Sequence, residues 1–147
     1  MISKNLQKAI LRANQIQPKV NSFPYLAECL RQEGIIKNIW HLPSGDSFYF
    51  SESESLINPG TPLIGRVGPC PTFDQAALIK ALRADQAGKI TFSEFLTAAW
   101  KAGVIRYEVD FIKRQVTYFS AFGEEYREDY SAVTLDKKTT KNSQPLT

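Results

Sequence analysis

From Ile105 to Tyr118 the chain alternates apolar and polar residues one for one. Ile105, Tyr107 and Val109 interleave with Arg106, Glu108 and Asp110, and Val116 and Tyr118 with Gln115 and Thr117. A period of two sends every second side chain to the same side of an extended strand, so this stretch cannot be an amphipathic helix. Phe111–Arg114 has the length of a turn, which makes the two runs an antiparallel hairpin. A third strand, Glu124 to Tyr130, follows the turn at Phe122-Gly123 and completes a meander. Such a sheet buries one face only if something else in the chain covers it.

The cover comes from segments with a different period. Ile2, Leu6, Ala9, Ile10, Ala13 and Ile16 recur at three and four, which predicts an amphipathic helix ended by Pro18, with Lys4, Lys8 and Arg12 on its other face. A second helix starts at Asn21 or Ser22, tolerates Pro24 in its first turn and stops at Gly34, with Phe23, Leu26, Ala27 and Leu30 toward the core. Ile35–Leu42 and Ser47–Phe50 flank the turn Pro43–Asp46 and form a hairpin. The stretch from Ser51 to Pro71 holds a Ser-Glu run, prolines and glycines, and reads as an irregular surface loop with one short extended piece near Leu63–Val67. Thr72 with Gln75 opens a helix to about Ala84, and Thr91 with Glu94 opens another to about Ala102. Gly103 turns the second of these directly into a strand whose Ile105, Tyr107 and Val109 face the core. No internal repeat is visible.

The expected fold is therefore α+β: an antiparallel sheet, built from an N-terminal hairpin and a C-terminal three-strand meander, packed with about four helices. Its 147 residues, 43% of them hydrophobic and 22% charged, fit one domain and exclude disordered and low-complexity classes. Residues 1–130 form that domain. Residues 131–147, where only Val133, Leu135 and Leu146 are large and apolar, form a mobile polar tail.

Charge and cysteine usage narrow the function classes. The net +3 comes from the chain ends, since residues 1–21 carry four cations and no acid while the body is mildly acidic. A nucleic-acid binder is expected to carry its basic excess on the fold itself, so nucleic acid is an unfavoured partner. No window approaches eighteen apolar residues and no apolar leader follows Lys4, Lys8 and Arg12, so the chain is expected to be cytoplasmic and without a membrane partner. Cys29 and Cys70 read as reduced thiols.

The chemistry-bearing motifs are few. Residues 83–94 imitate the second half of a calcium-binding loop, with Gly88, Ile90 and Glu94 at its sixth, eighth and twelfth positions, but Arg83 and Ala87 replace two ligands. His41, Cys29 and Cys70 lie in three separate segments, too scattered for zinc. Phosphate loops and nucleophile elbows are missing from the sequence, so no cofactor and no metal is expected. Aromatic residues are the one abundant feature: Tyr107, Tyr118, Tyr126, Tyr130, Phe119 and Phe122 all fall in the meander, where cross-strand packing is their ordinary use.

The string Gly88-x-x-Thr91-Phe92-x-Glu94-Phe95, followed by Ala102-Gly103-Val104-x-x-Tyr107-x-Val109-Asp110, Val116-Thr117-Tyr118 and Gly123-x-x-Tyr126, resembles the YbcV-like family of small bacterial and phage proteins. Many of these carry the label "phage envelope protein", and the family is otherwise a domain of unknown function. Ser22-Phe23-Pro24-Tyr25-Leu26 and Gly34 extend the likeness over about residues 1–130. The resemblance implies a small α+β domain and transfers no catalytic or metal signature.

The first functional reading is a small cytoplasmic, prophage-derived module that binds a protein or a small molecule, with His41, Tyr107, Asp110 and Tyr118 as candidate binding residues. The competing reading is an enzyme or ligand-processing domain with a pocket near the 51–71 loop. A third is a nucleic-acid accessory protein that reads phosphates through Lys4, Lys8, Arg12 and the basic tail. A homo-oligomer is compatible with each.

Overall fold

The 3.6-residue spacing at the N-terminus produces helix α1 (Ile2–Ile16), which buries Ile2, Leu6, Ala9 and Ala13, while Ile10 falls at the margin of the stripe. This computed structural model describes residues 1–135. Helix α2 (Phe23–Gln32) packs against α1 and takes Pro24 in its first turn, where a missing N–H costs nothing. Its cap residue, Ser22, makes no side-chain hydrogen bond to the helix. Gly34, at φ +87°, closes it in the left-handed conformation, and Ile35 N–H donates back to the Leu30 carbonyl at 3.0 Å.

Strands β1 (Lys37–His41) and β2 (Ser47–Phe50) form the expected hairpin. The next element corrects the sequence reading. The extended piece is not at Leu63–Val67 but at β3 (Ser55–Asn58), which pairs with β2 from Ser47↔Asn58 to Phe50↔Ser55. Ser51 explains it: its N–H donates to the Glu54 carbonyl at 2.9 Å and its hydroxyl accepts from Glu54 N–H at 3.1 Å, so the Ser-Glu run is a tight turn. Leu63 and Ile64 instead donate to the Pro43 carbonyl and anchor the loop to the first hairpin.

Helix α3 (Gln75–Gln86) is capped by Asp74, whose Oδ1 accepts from Ala77 N–H at 3.0 Å, and not by the expected pair Thr72 and Gln75. Helix α4 (Phe92–Lys101) has the expected capping box, with Thr91 and Glu94 bonded reciprocally at 2.8 and 3.1 Å. Gly103 stands at φ +91°, and a Cβ there would lie 2.5 Å from Phe73 Cα. The irregular segment before α3 crosses at this point, and Asp74 N–H bonds the Ala102 carbonyl at 2.8 Å.

Strands β4 (Val104–Asp110), β5 (Gln115–Ser120) and β6 (Glu125–Asp129) form the meander. A bulge between Val104 and Arg106 shifts the register, so fully buried Val104 precedes buried Tyr107 and Val109 while Ile105, expected in the core, is only half-buried. β1 pairs with β4, Trp40 opposite Tyr107, and joins the two parts into one antiparallel sheet of order β3-β2-β1-β4-β5-β6. The order reads symmetrically outward from the β1–β4 seam, and each half runs helix, helix, three strands. The chain thus repeats its topology where the sequence showed no repeat.

One sheet face, with Asn38, Ser47, Tyr49, Tyr107, Val109, Val116 and Tyr118 buried, meets the helices. On the other, Ile39, His41, Phe48, Arg106, Glu108 and Phe119 are half-buried and none is sealed. Beyond β6, Leu135 is buried and Val133 packs against the core. The rest of the expected tail, residues 136–147, lies outside the described residues. Among the described residues no helix is long and apolar enough to cross a membrane.

Candidate functional site

The cross-strand register lines up four rings on the helix-facing side of the sheet: Trp40, Tyr107, Tyr118 and Tyr126. Neighbouring centroids are 5.6–6.5 Å apart, the usual range for packed aromatic pairs. The first turn of α4 lays Phe92 edge-on to Trp40 at 5.0 Å and Phe95 edge-on to Tyr118 at 6.5 Å. The last turns of α3 bring Leu82 and Asp85 over the same rings. Two short connections then close in from the side, because Asn21 N–H bonds the Gln86 carbonyl at 2.7 Å and Gly88 lies against the Lys19 carbonyl.

Between these parts lies a cavity of about 340 Å³. Leu82, Ile90, Phe92, Phe95 and Val116 make its apolar walls, and Asp85, Tyr107 and Tyr118 supply polar groups. Phe23 and Tyr130, edge-on to each other at 5.1 Å, also line it.

Burial raises the Asp85 carboxyl above the ordinary aspartate value, and no neighbouring cation offsets that shift. Burial likewise pushes the Tyr107 hydroxyl far up, with Tyr118, Tyr49 and Asp85 adding to it, and raises Tyr118, so both hydroxyls remain neutral donors. Tyr130 is pushed up to about 12, mainly by burial. Glu128, also in the wall, is treated differently. Burial pushes it up, but hydrogen bonds from Arg83 at 2.6 and 3.1 Å, Tyr126 at 2.6 Å and Gln86 at 3.4 Å outweigh burial and hold it below the usual carboxylate range.

The four candidate residues fall on opposite faces of the sheet. Tyr107 and Tyr118 line the cavity. Asp110 and His41 are on the open face, where Asp110 Oδ1 accepts from Ile112 and Lys113 N–H and shapes the β4–β5 turn, and His41 lies edge-on to Phe48 at 5.6 Å. Asp110 also lines a shallower hollow of about 310 Å³ with Lys37, Lys113 and Arg127, in which Glu108 and Glu125 balance the cations. Lys37 and Arg106 sit over the rings of Phe50 and Phe119 at 5.4 and 4.0 Å, so both cations and rings of this face are already engaged.

Asp85 is the cavity-lining residue that the sequence did not single out. It stood only as the third position of the calcium-like string. The available signal was its place on α3, where Leu78, Leu82 and Asp85 follow one another at four and three and carry a carboxylate along the apolar stripe. The string itself is not a calcium loop: residues 83–86 are helical, Arg83 holds Glu128 and Glu94 caps α4. Among the described residues no group of three His, Cys, Asp or Glu side chains could hold a metal ion. Cys29 is buried, which pushes its thiol up, and Cys70 is exposed.

A family model described as "Protein of unknown function (DUF1398)" matches residues 12–128, which include the distinctive string from Gly88 to Tyr126. The uncharacterized protein Mb2035 of Mycobacterium bovis is 48% identical over 129 residues, covering 88% of this chain and 79% of the relative. The uncharacterized protein Rv2012 of Mycobacterium tuberculosis matches with the same identity and coverage. A family without an assigned function is thus what the comparisons give, and the phage-envelope label is carried by neither of them.

Proposed function

Because the chain belongs to the DUF1398 family, which has no assigned chemistry, we propose its function from the cavity itself: it is a module that binds a small molecule between its helices and its sheet. The observation that carries the reading is the composition of the cavity wall, in which Leu82, Ile90, Phe92, Phe95 and Val116 meet Asp85, Tyr107 and Tyr118, with the exposed Lys19, Asn21 and Asp129 also on the lining. That is the make-up of ligand sites in general, and 340 Å³ falls at the small end of their range of about 300–1,000 Å³. The walls come from α2, α3, α4, β4, β5 and β6 and from the connections that precede α2 and α4, so the site exists only in the folded chain. Of the four candidate residues, Tyr107 and Tyr118 belong to this reading; His41 and Asp110 do not. The competing pocket beside residues 51–71 is not needed, since no residue of that loop lines this cavity. That the module is cytoplasmic and prophage-derived rests on the sequence resemblance and the sequence reading alone.

A ligand-observed NMR screen of small fragments against the wild type and Ile90→Trp tests it. The expected result is a set of aromatic or branched aliphatic fragments that bind the wild type and are lost when the tryptophan fills the cavity. Fragments that bind both proteins equally, or none at all, would overturn it.

A further inference from the structure

The geometry points to a small organic cation, an alkylammonium or quaternary ammonium group, as the ligand this cavity takes; the inference rests on the reading of the cavity as a ligand site. Three observations converge. Asp85 brings a half-buried carboxylate to a hollow that it shares with Leu82, Ile90, Phe92, Phe95 and Val116, and no cation is bonded to it. Of the other two carboxylates in the lining, Glu128 is already satisfied by Arg83 and Tyr126 at 2.6 Å and Asp129 is exposed to solvent, which leaves Asp85 as the half-buried negative charge with no cation bonded to it. Phe92, Phe95, Tyr107 and Tyr118 present aromatic surface to the same space, and aromatic faces attract cations that a desolvated carboxylate also favours.

The alternatives fit less well. An anionic ligand would meet Asp85 without a paired cation, and a neutral ligand would leave the carboxylate desolvated and unpaired. A cation removes that cost and keeps its apolar methyl groups against the rings. Lys19, which also lines the cavity, is exposed at its rim, and its backbone carbonyl lies against Gly88.

The test uses the full chain at pH 8 and calorimetry with choline, tetramethylammonium and benzyltrimethylammonium, each beside its neutral tert-butyl isostere. The cations are expected to bind saturably, and at least one neutral isostere at least tenfold more weakly. Asp85→Asn, which keeps the shape and removes the charge, should weaken the cation about tenfold or more and leave the neutral compound unchanged. Phe92→Leu, at a position 46% exposed and therefore safe for folding, should weaken the cation several-fold. If the neutral isosteres bind as well as the cations, or Asp85→Asn has no effect, the cation assignment is overturned and the cavity reading stands. If no compound binds up to about 10 mM, both fall.

Discussion

At the scale of single residues, Asp85 and Gly103 carry opposite kinds of constraint. The folded chain raises the Asp85 pKa, so the protonated acid is the form that folding favours. Stability from this group is complete below the ordinary aspartate value of 3.8 and is lost as the pH rises through its folded value. Asp85→Asn should therefore melt at a higher temperature than the wild type at pH 7, and the gap should close as the pH falls below 3.8; a lower melting temperature at pH 7 would contradict the unpaired carboxylate. Gly103 answers to geometry. Its φ of +91° strains any side chain, and a Cβ would meet the backbone of Phe73 at 2.5 Å. Gly103→Ala should cost at least about 2 kcal/mol in urea unfolding, with Gly103→Val worse. The need for glycine at 103 was legible, because helical spacing ends at Ala102 and strand alternation begins one residue later. The role of Asp85 was not, because it depends on rings that β4 and β5 bring beneath α3.

At the scale of elements, the strong periodic segments were legible to within a residue or two and the weak signals were not. Alternation located β4 and β5, and the reciprocal pair Thr91 and Glu94 located the start of α4. The other capping pair misled, since the residue that reaches an orphan N–H is Asp74 and not Thr72. Asp74→Ala should destabilise the protein by about 1 kcal/mol, while Thr72→Ala should stay within about 0.5 kcal/mol of the wild type. Equal effects in urea titrations would return the cap to Thr72. Strand β3 escaped because it is a four-residue edge strand whose two apolar residues, Leu56 and Ile57, are adjacent and show no alternation. The bulge at Ile105 escaped because alternation alone assumes an unbroken ladder.

At the scale of the whole molecule, the α+β class and the antiparallel sheet were legible from the switch of hydrophobic period along the chain. The β1–β4 seam was not, since no local pattern says which edge of a hairpin meets which edge of a meander far away in sequence. The symmetric order around that seam makes the protein divisible. Val67 is fully exposed, and a Cβ on Gly68 would meet nothing within 4 Å, so the backbone can be cut between them without breaking packing. Each fragment then keeps two helices and three strands, and each exposes one bare strand edge, β1 or β4, that only the other fragment satisfies. Residues 1–67 and 68–147 made as separate polypeptides should co-purify as a one-to-one complex with the circular dichroism spectrum of the intact chain, and failure to associate would show that the connection itself is needed. The cavity spans the same boundary, because residues 19–24 come from one fragment and residues 82–130 from the other. A ligand of the intact chain would then behave as a molecular glue for the two pieces, drawing them together in proportion to its concentration.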